Sequence, residues 1–298
     1  MSPSNSASGR ARLAGLTLIF LLLAGCRENG QAAPSNPSSP GAVAPASTAP
    51  LPAPPIPQDK LPVLTNPKWD AAFEHDPTSF TQGLLFADGA LYESTGQNGS
   101  SKVRRLDPES GKVLAGHDLS MAHFGEGLAS LGPSLYQLTW TSGLCLIYDR
   151  ATLKPTGQLF YPGEGWGLTV SPQEGLLVFS DGSEFLKFLD PSNFIAKRTL
   201  PVTDGSGQPV AMLNELEWMN GEVWANIWLT DRIARIDPKT GKVVGWIVLS
   251  ELSAAEHNEA EDVLNGIAYD PASDRLWITG KLWSKIYRFD NAKATFFK

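Results

Sequence analysis

The chain has 298 residues, of which 42% are hydrophobic, and a net charge of −7. That length allows one or two domains with a sizeable core. The acidic balance, without any long basic run, excludes the electrostatic footprint of a nucleic-acid binder.

Residues 1–26 read as a targeting signal. Arg10 and Arg12 precede an apolar run from Leu13 to Ala24, which ends in Gly25 and Cys26. A basic start, a short apolar stretch and small residues at the cut make a signal peptide. The run is too short for a comfortable membrane span. A cysteine directly after the small residues resembles the bacterial lipoprotein lipobox. That resemblance implies export, lipidation of Cys26, and anchoring to a membrane facing the periplasm or cell surface. An ordinary cleaved signal with an incidental cysteine is the alternative. Residues 27–60 are rich in Pro, Ala and Ser. Such composition cannot bury apolar surface and predicts an extended disordered linker. The folded domain is expected over 61–298.

Within that domain a short stretch recurs five times. Its versions are Gln82-Gly83-Leu84, Glu126-Gly127-Leu128, Trp166-Gly167-Leu168, Asn214-Glu215-Leu216 and Asn265-Gly266-Ile267, spaced 44, 40, 48 and 51 residues apart. A strand-like stretch follows each one and begins at Leu91, Leu135, Leu177, Val223 and Leu276. A third column ends in Asp107, Asp149, Asp190, Asp237 and Asp290, always 23 to 25 residues after the first column. Each unit reads as four short strands with Asp or Gly at the turns. In the first unit these are Leu84–Phe86, Ala90–Ser94, Lys102–Leu106 and Lys112–Asp118. Four-stranded units at this period are propeller blades. The expectation is therefore an all-β, five-bladed β-propeller of antiparallel blades. The fifth unit supplies only three strands, so Trp69–Glu74 is expected to close the ring, with Ala294–Phe297 as the competing candidate. Ser250–Glu261 is the best helix candidate and reads as an insertion.

Innermost strands line a propeller's channel, so the first column is expected to pool in space as Gln82, Glu126, Trp166, Asn214 and Asn265. The sixth position of the second column, Gly96, Trp140, Gly182, Trp228 and Lys281, is expected to reach the same rim. A carboxylate, amides, an ammonium and tryptophans in one cup suit a small polar ligand. Each residue also has a structural reading. Glu126 could cap strand amides, the tryptophans could be core, Asn214 and Asn265 could bond loop backbones, and Lys281 could be solvated. Glu215 and Glu217 flank Leu216 and are candidate partners behind the site. The column aspartates read as turn formers. Cys145, in an apolar run, reads as core. The four histidines show no metal-ligand spacing, so no zinc site is expected.

Several of these motifs together resemble one family. They include Phe80-Thr81-Gln82-Gly83-Leu84, Phe124-Gly125-Glu126-Gly127-Leu128, Gly165-Trp166-Gly167-Leu168, Leu213-Asn214-Glu215-Leu216-Glu217, Leu264-Asn265-Gly266-Ile267 and Thr279-Gly280-Lys281-Leu282-Trp283. The family is the plant-type and bacterial glutaminyl-peptide cyclotransferases. The resemblance implies a five-bladed propeller without catalytic zinc or other cofactor. The implied substrates are peptides or proteins with a free N-terminal glutamine, cyclised to pyroglutamate with release of ammonia. Glu126 matches the family's catalytic glutamate, here read as a proton shuttle. Gln82, Asn214 and Lys281 match polar residues of its pocket, with Lys281, Asn214 or Gln82 donating to the oxyanion. Trp140, Trp166 and Trp228 match its aromatic walls, and Asn265 is added from the first column. A monomer is expected. Two other classes remain open at this stage. One is a calcium-dependent propeller hydrolase using Glu126, Asn214 and Asn265 as oxygen ligands. The other is a non-catalytic surface binding propeller.

Overall fold

The computed structural model describes residues 60–256 and 260–297. The signal segment, Cys26 and the linker up to residue 59 lie outside the described residues.

Two short strands come first, β1 (Val63–Thr65) and β2 (Ala71–Glu74). Blade 1 is β3 (Thr81–Ala87), β4 (Ala90–Thr95), β5 (Lys102–Leu106) and β6 (Val113–Asp118). Blade 2 is β7 (Gly125–Leu131), β8 (Ser134–Thr139), β9 (Leu144–Asp149) and β10 (Pro155–Phe160). Blade 3 is β11 (Leu168–Ser171), β12 (Leu176–Phe179), β13 (Phe185–Leu189) and β14 (Ala196–Pro201). Blade 4 is β15 (Leu213–Met219), β16 (Glu222–Ile227), β17 (Arg232–Ile236) and β18 (Val243–Val248). The helix α1 (Ser250–Glu256) intervenes before β19 (Leu264–Asp270), β20 (Arg275–Gly280) and β21 (Lys285–Phe289). A terminal helix, α2 (Ala292–Phe296), follows.

Each blade is an antiparallel meander, and the fifth is completed by β2 in the order β19-β20-β21-β2. The pairing runs Ala71↔Arg288 to Glu74↔Lys285. The ring is thus closed by the N-terminal strand, as the missing fourth strand of the last repeat requires, and Ala294–Phe297 is not that strand. The edge of blade 4 carries a strand that the repeat does not contain. There β1 pairs in parallel with β18, Val63 opposite Trp246. It covers a strand whose apolar residues would otherwise present an open edge.

The core is divided into five apolar clusters, one in each gap between blades. Leu84, Leu91, Ala268 and Trp277 join blades 5 and 1, for example, and Val178, Phe188, Leu216 and Val223 join blades 3 and 4. Cys145 is fully buried in the gap between blades 2 and 3, and burial pushes its thiol pKa up. Strands feed these gaps because their inward and outward residues alternate.

The glycines of the first column have a direct physical cause. A Cβ on Gly83 would lie 2.6 Å from the backbone nitrogen of Leu128; on Gly127, 2.5 Å from that of Leu168; on Gly167, 1.9 Å from the carbonyl oxygen of Asn214. Each glycine lets its inner strand pass against the next one around the axis. In blade 4 the column holds Glu215 instead. Its carboxylate crosses the axis and accepts from the backbone N–H of Leu84 at 3.2 Å and of Ile267 at 3.0 Å. One buried carboxylate thus ties the inner strands of blades 4, 5 and 1. Burial, with nearby Glu217, holds its pKa well above the usual carboxylate range.

Candidate active site

In four inner strands the ladder slips at the first column. The register shifts lie between Thr81 and Gly83, Gly125 and Leu128, Leu213 and Leu216, and Leu264 and Ile267. A bulge frees a residue from strand pairing and re-aims its side chain. Here the freed residues include Gln82, Glu126, Asn214 and Asn265. In blade 3, Trp166 and Gly167 precede β11 altogether.

Seven side chains of the two columns help to line a cavity of about 280 Å³. Gln82, Glu126, Trp166 and Asn214 come from the first column, and Trp140, Trp228 and Lys281 from the rim column. Asn265 stands behind them. It is fully buried, and its Nδ2 donates to the backbone oxygen of Thr81 at 2.9 Å and to Gln82 Oε1 at 3.1 Å. Gln82 in turn donates through Nε2 to Glu126 Oε1 at 3.0 Å. Asn214 is buried at the cavity, and among the described residues its Oδ1 has no hydrogen-bond partner.

Glu126 is 4% exposed. Burial drives its pKa well above the usual carboxylate range; the Lys281 charge offsets part of this, and Glu164 adds to it. Lys281 is equally buried, and burial lowers its ammonium pKa to about 8 against the opposing pull of Glu126 and Glu261. An acid raised and a base lowered in one cavity is the arrangement expected of proton-transfer chemistry.

The glycines of the rim column seat the walls. A Cβ on Gly96 would fall 2.3 Å from the Phe124 ring, and one on Gly182 would fall 2.7 Å from the Trp166 ring. Phe80 meets Phe124 edge-on at 5.9 Å, Phe124 meets Trp140 at 5.7 Å, and Trp166 meets Trp228 at 5.3 Å. The Lys281 ammonium lies 4.7 Å from the Phe80 ring centre and 5.9 Å from that of Trp228. Trp283, next to Lys281 in the motif, faces away: it is fully buried against Gly280 and donates to the backbone oxygen of Asp262.

Sequence reasoning did not assign Phe80, Phe124, Gln97 or Glu261 to the site, yet all four line it. Phe80 and Phe124 sit two residues before Gln82 and Glu126, at a constant offset that could have signalled them. The supports behind the site also went unread. Ser94 donates to the backbone oxygen of Glu126, and Ser180 does the same for Asn214 at 2.8 Å. Asn226 accepts from the backbone N–H of Gly266. These three share the fourth position of the second column, and a polar residue inside a buried strand is the signal they offered.

A second cluster ties the closing seam. His75, just after β2, directs Nδ1 to the backbone oxygen of Trp283 and Nε2 to Glu93, each at 2.8 Å. Thr81 also donates to Glu93, and Arg104 donates to Asp76 and Ser79. Glu256 of α1 accepts from the backbone and hydroxyl of Ser284 and from the Tyr287 hydroxyl. Both sets fix the turn that carries Lys281. Among the described residues, no group of three or more His, Cys, Asp or Glu is placed to hold a metal ion.

The profile of the glutamine cyclotransferase family matches residues 43–290. A glutaminyl-peptide cyclotransferase of Arabidopsis thaliana is 43% identical over 236 residues, covering 76% of this chain and 71% of that protein. The crystal structure of Myxococcus xanthus glutaminyl cyclase superposes with a TM-score of 0.71 at 39% identity, covering 77% of this chain and 97% of the other.

Proposed function

The chain belongs to the glutamine cyclotransferase family, and on that premise we propose how its cavity performs the reaction of a glutaminyl-peptide cyclotransferase. The substrate is a peptide whose N-terminal glutamine has a free α-amine. That nitrogen attacks the side-chain amide carbon of the same residue. A five-membered lactam forms, the bond from carbon to the amide nitrogen breaks, and ammonia leaves. Nucleophile and electrophile share one residue, so much of the catalytic task is to hold the folded-back conformer. The aromatic walls supply that restraint.

Glu126 takes a proton from the attacking amine and returns it to the departing nitrogen. Its raised pKa brings it toward the operating range for both roles. Gln82 orients the carboxylate, and Asn265 orients Gln82. The developing oxyanion needs a donor aimed into a dry site. Lys281 supplies it from the same cavity as Glu126. The unpartnered Asn214 Oδ1 is available to a substrate N–H. The observation that carries this reading is the buried carboxyl of Glu126 and the buried amine of Lys281 lining one aromatic cavity.

The test is ammonia release by the full chain from a short peptide with N-terminal glutamine, run for wild type, Glu126→Gln, and wild type with excess EDTA. Release that survives EDTA and is abolished by Glu126→Gln is expected. Loss on chelation would move the reading to a metal-dependent enzyme. Full release by Glu126→Gln would refute the proton shuttle.

We also propose that the chain is exported and held at a membrane through lipid on Cys26. The order of basic residues, apolar run and Gly25-Cys26 supports this. Incorporation of labelled fatty acid into wild type but not Cys26→Ser is the expected result.

A further inference from the structure

The walls of the cavity form two aromatic arcs, Phe80–Phe124–Trp140 and Trp166–Trp228. Lys281 spans the gap between Phe80 and Trp228. The opposite gap, between Trp140 and Trp166, is spanned by Glu164. Its Oε2 accepts the indole N–H of Trp140 at 2.8 Å and that of Trp166 at 3.0 Å. The two indoles belong to different blades. Glu164 is itself anchored by its neighbours: Gly165 N–H donates to the backbone oxygen of Trp140, and Trp166 N–H to that of Ser180, both at 3.0 Å.

Glu164 is exposed, so core packing does not account for it. Trp140 is 41% exposed, and an indole at the surface without a partner for its N–H has little to hold its ring torsions. One acceptor shared by both rings restrains them together.

We propose that Glu164 is a positioning residue for the cyclisation, locking Trp140 and Trp166 in the orientations that hold the substrate glutamine folded back on itself. The inference rests on the cyclase reading above. The clamp requires an oxygen acceptor and not a negative charge, which separates it from a purely electrostatic role. A glutamine at 164 keeps a carbonyl oxygen for the indoles, whereas an alanine keeps nothing.

The test compares wild type, Glu164→Gln and Glu164→Ala in the full chain. It measures ammonia release from a peptide with N-terminal glutamine, the near-ultraviolet circular dichroism of the tryptophans, and the urea midpoint. For Glu164→Ala we expect KM to rise about tenfold, the scale of one or two lost hydrogen bonds, with a smaller fall in kcat. Its tryptophan dichroism should weaken and its urea midpoint should hold. Glu164→Gln should keep the wild-type KM and dichroism, its lost charge showing only as a shift of the acid limb of the pH profile set by Glu126. A wild-type KM and dichroism in Glu164→Ala would overturn the clamp. So would equal impairment of both variants, which would assign the effect to charge, or a loss that follows the urea midpoint. Absence of ammonia from wild type would defeat the cyclase reading instead, while the dichroism would still report on the clamp.

Discussion

Gln82 reaches across from blade 1 to donate to Glu126 of blade 2 at 3.0 Å, and this is the hydrogen bond that aims the carboxylate. Gln82 cannot turn, because Asn265 of blade 5 holds its other amide atom. Three blades thus set the direction of one oxygen. Glu126→Gln should lower kcat by about 10²- to 10⁴-fold with little change in KM, the range for removing a general acid–base. Asn265 does not itself line the cavity, yet Asn265→Ala should lower kcat/KM by about tenfold, the equivalent of the one hydrogen bond it gives Gln82. Steady-state kinetics on the same peptide check both. Wild-type kinetics in Asn265→Ala would show that Gln82 needs no support.

Lys281 titrates where it can be observed. Its pKa lies at about 8 because burial opposes the charge. If the ammonium donates to the oxyanion, kcat should fall as pH rises through that value. On the acid side, kcat/KM should rise as Glu126 and the substrate amine lose their protons. Lys281→Arg should move the alkaline fall beyond pH 10, since guanidinium keeps its charge there. Persistence of the fall near pH 8 in that variant would assign it to another group.

The axial glycines predict a sharp contrast in stability. Gly127→Ala puts a carbon 2.5 Å from the backbone of Leu168 and 2.6 Å from the carbonyl oxygen of Trp166. Backbone cannot yield as a side chain does, so a loss of at least about 3 kcal/mol is expected, the upper range for overpacking. Gly157, on an exposed outer strand, has only the tip of Ile147 at 4.0 Å. Gly157→Ala should change stability by less than about 1 kcal/mol, in the favourable direction. Urea unfolding of the two variants measures the difference.

The seam predicts a pH window for stability. Burial pulls the His75 pKa down, but Glu93 overcomes it, and the net direction is up from 6.5. Burial raises Glu93, but His75 and Arg104 outweigh it, and the net direction is down from 4.5. The histidine contribution is complete below pH 6.5 and fades as pH rises through its folded pKa. The glutamate contribution is complete above pH 4.5 and fades as pH falls through its folded pKa. The pair should therefore support the fold best between those values. His75→Gln should flatten the alkaline side of the profile of melting temperature against pH. An unchanged profile would mean that the pair does not couple to folding.

Much of this was readable in the chain because a repeat makes columns, and columns have causes. The first-column glycines announce close approach at an axis, and the odd residue among them, Glu215, marks where a carboxylate instead accepts from the backbone of two neighbouring inner strands. Blade closure was readable from a missing strand. Asn265 illustrates the limit: its column is right, but whether a bulged side chain enters the cavity or stops behind Gln82 depends on neighbours far away in sequence. Glu164 obeys no column at all, since a loop carboxylate has no periodicity. The seam of His75, Glu93 and Arg104 joins β2 to blade 1 and the last turn, and only closure of the ring brings them together. The parallel strand β1 follows no repeat either.

That closure carries a consequence for the life of the molecule. His75 meets the backbone of Trp283 across 208 positions of chain, and Lys281 is among the last residues of the site to be synthesised. Until β21 captures β2, neither the latch nor the ammonium is in place. A chain lacking β2 or the end of blade 5 would contain Glu126 and most of the tryptophans and still lack the closed seam beside Lys281. Ring completion thus acts as an internal check: the site is assembled only when the first and last strands of the propeller have met.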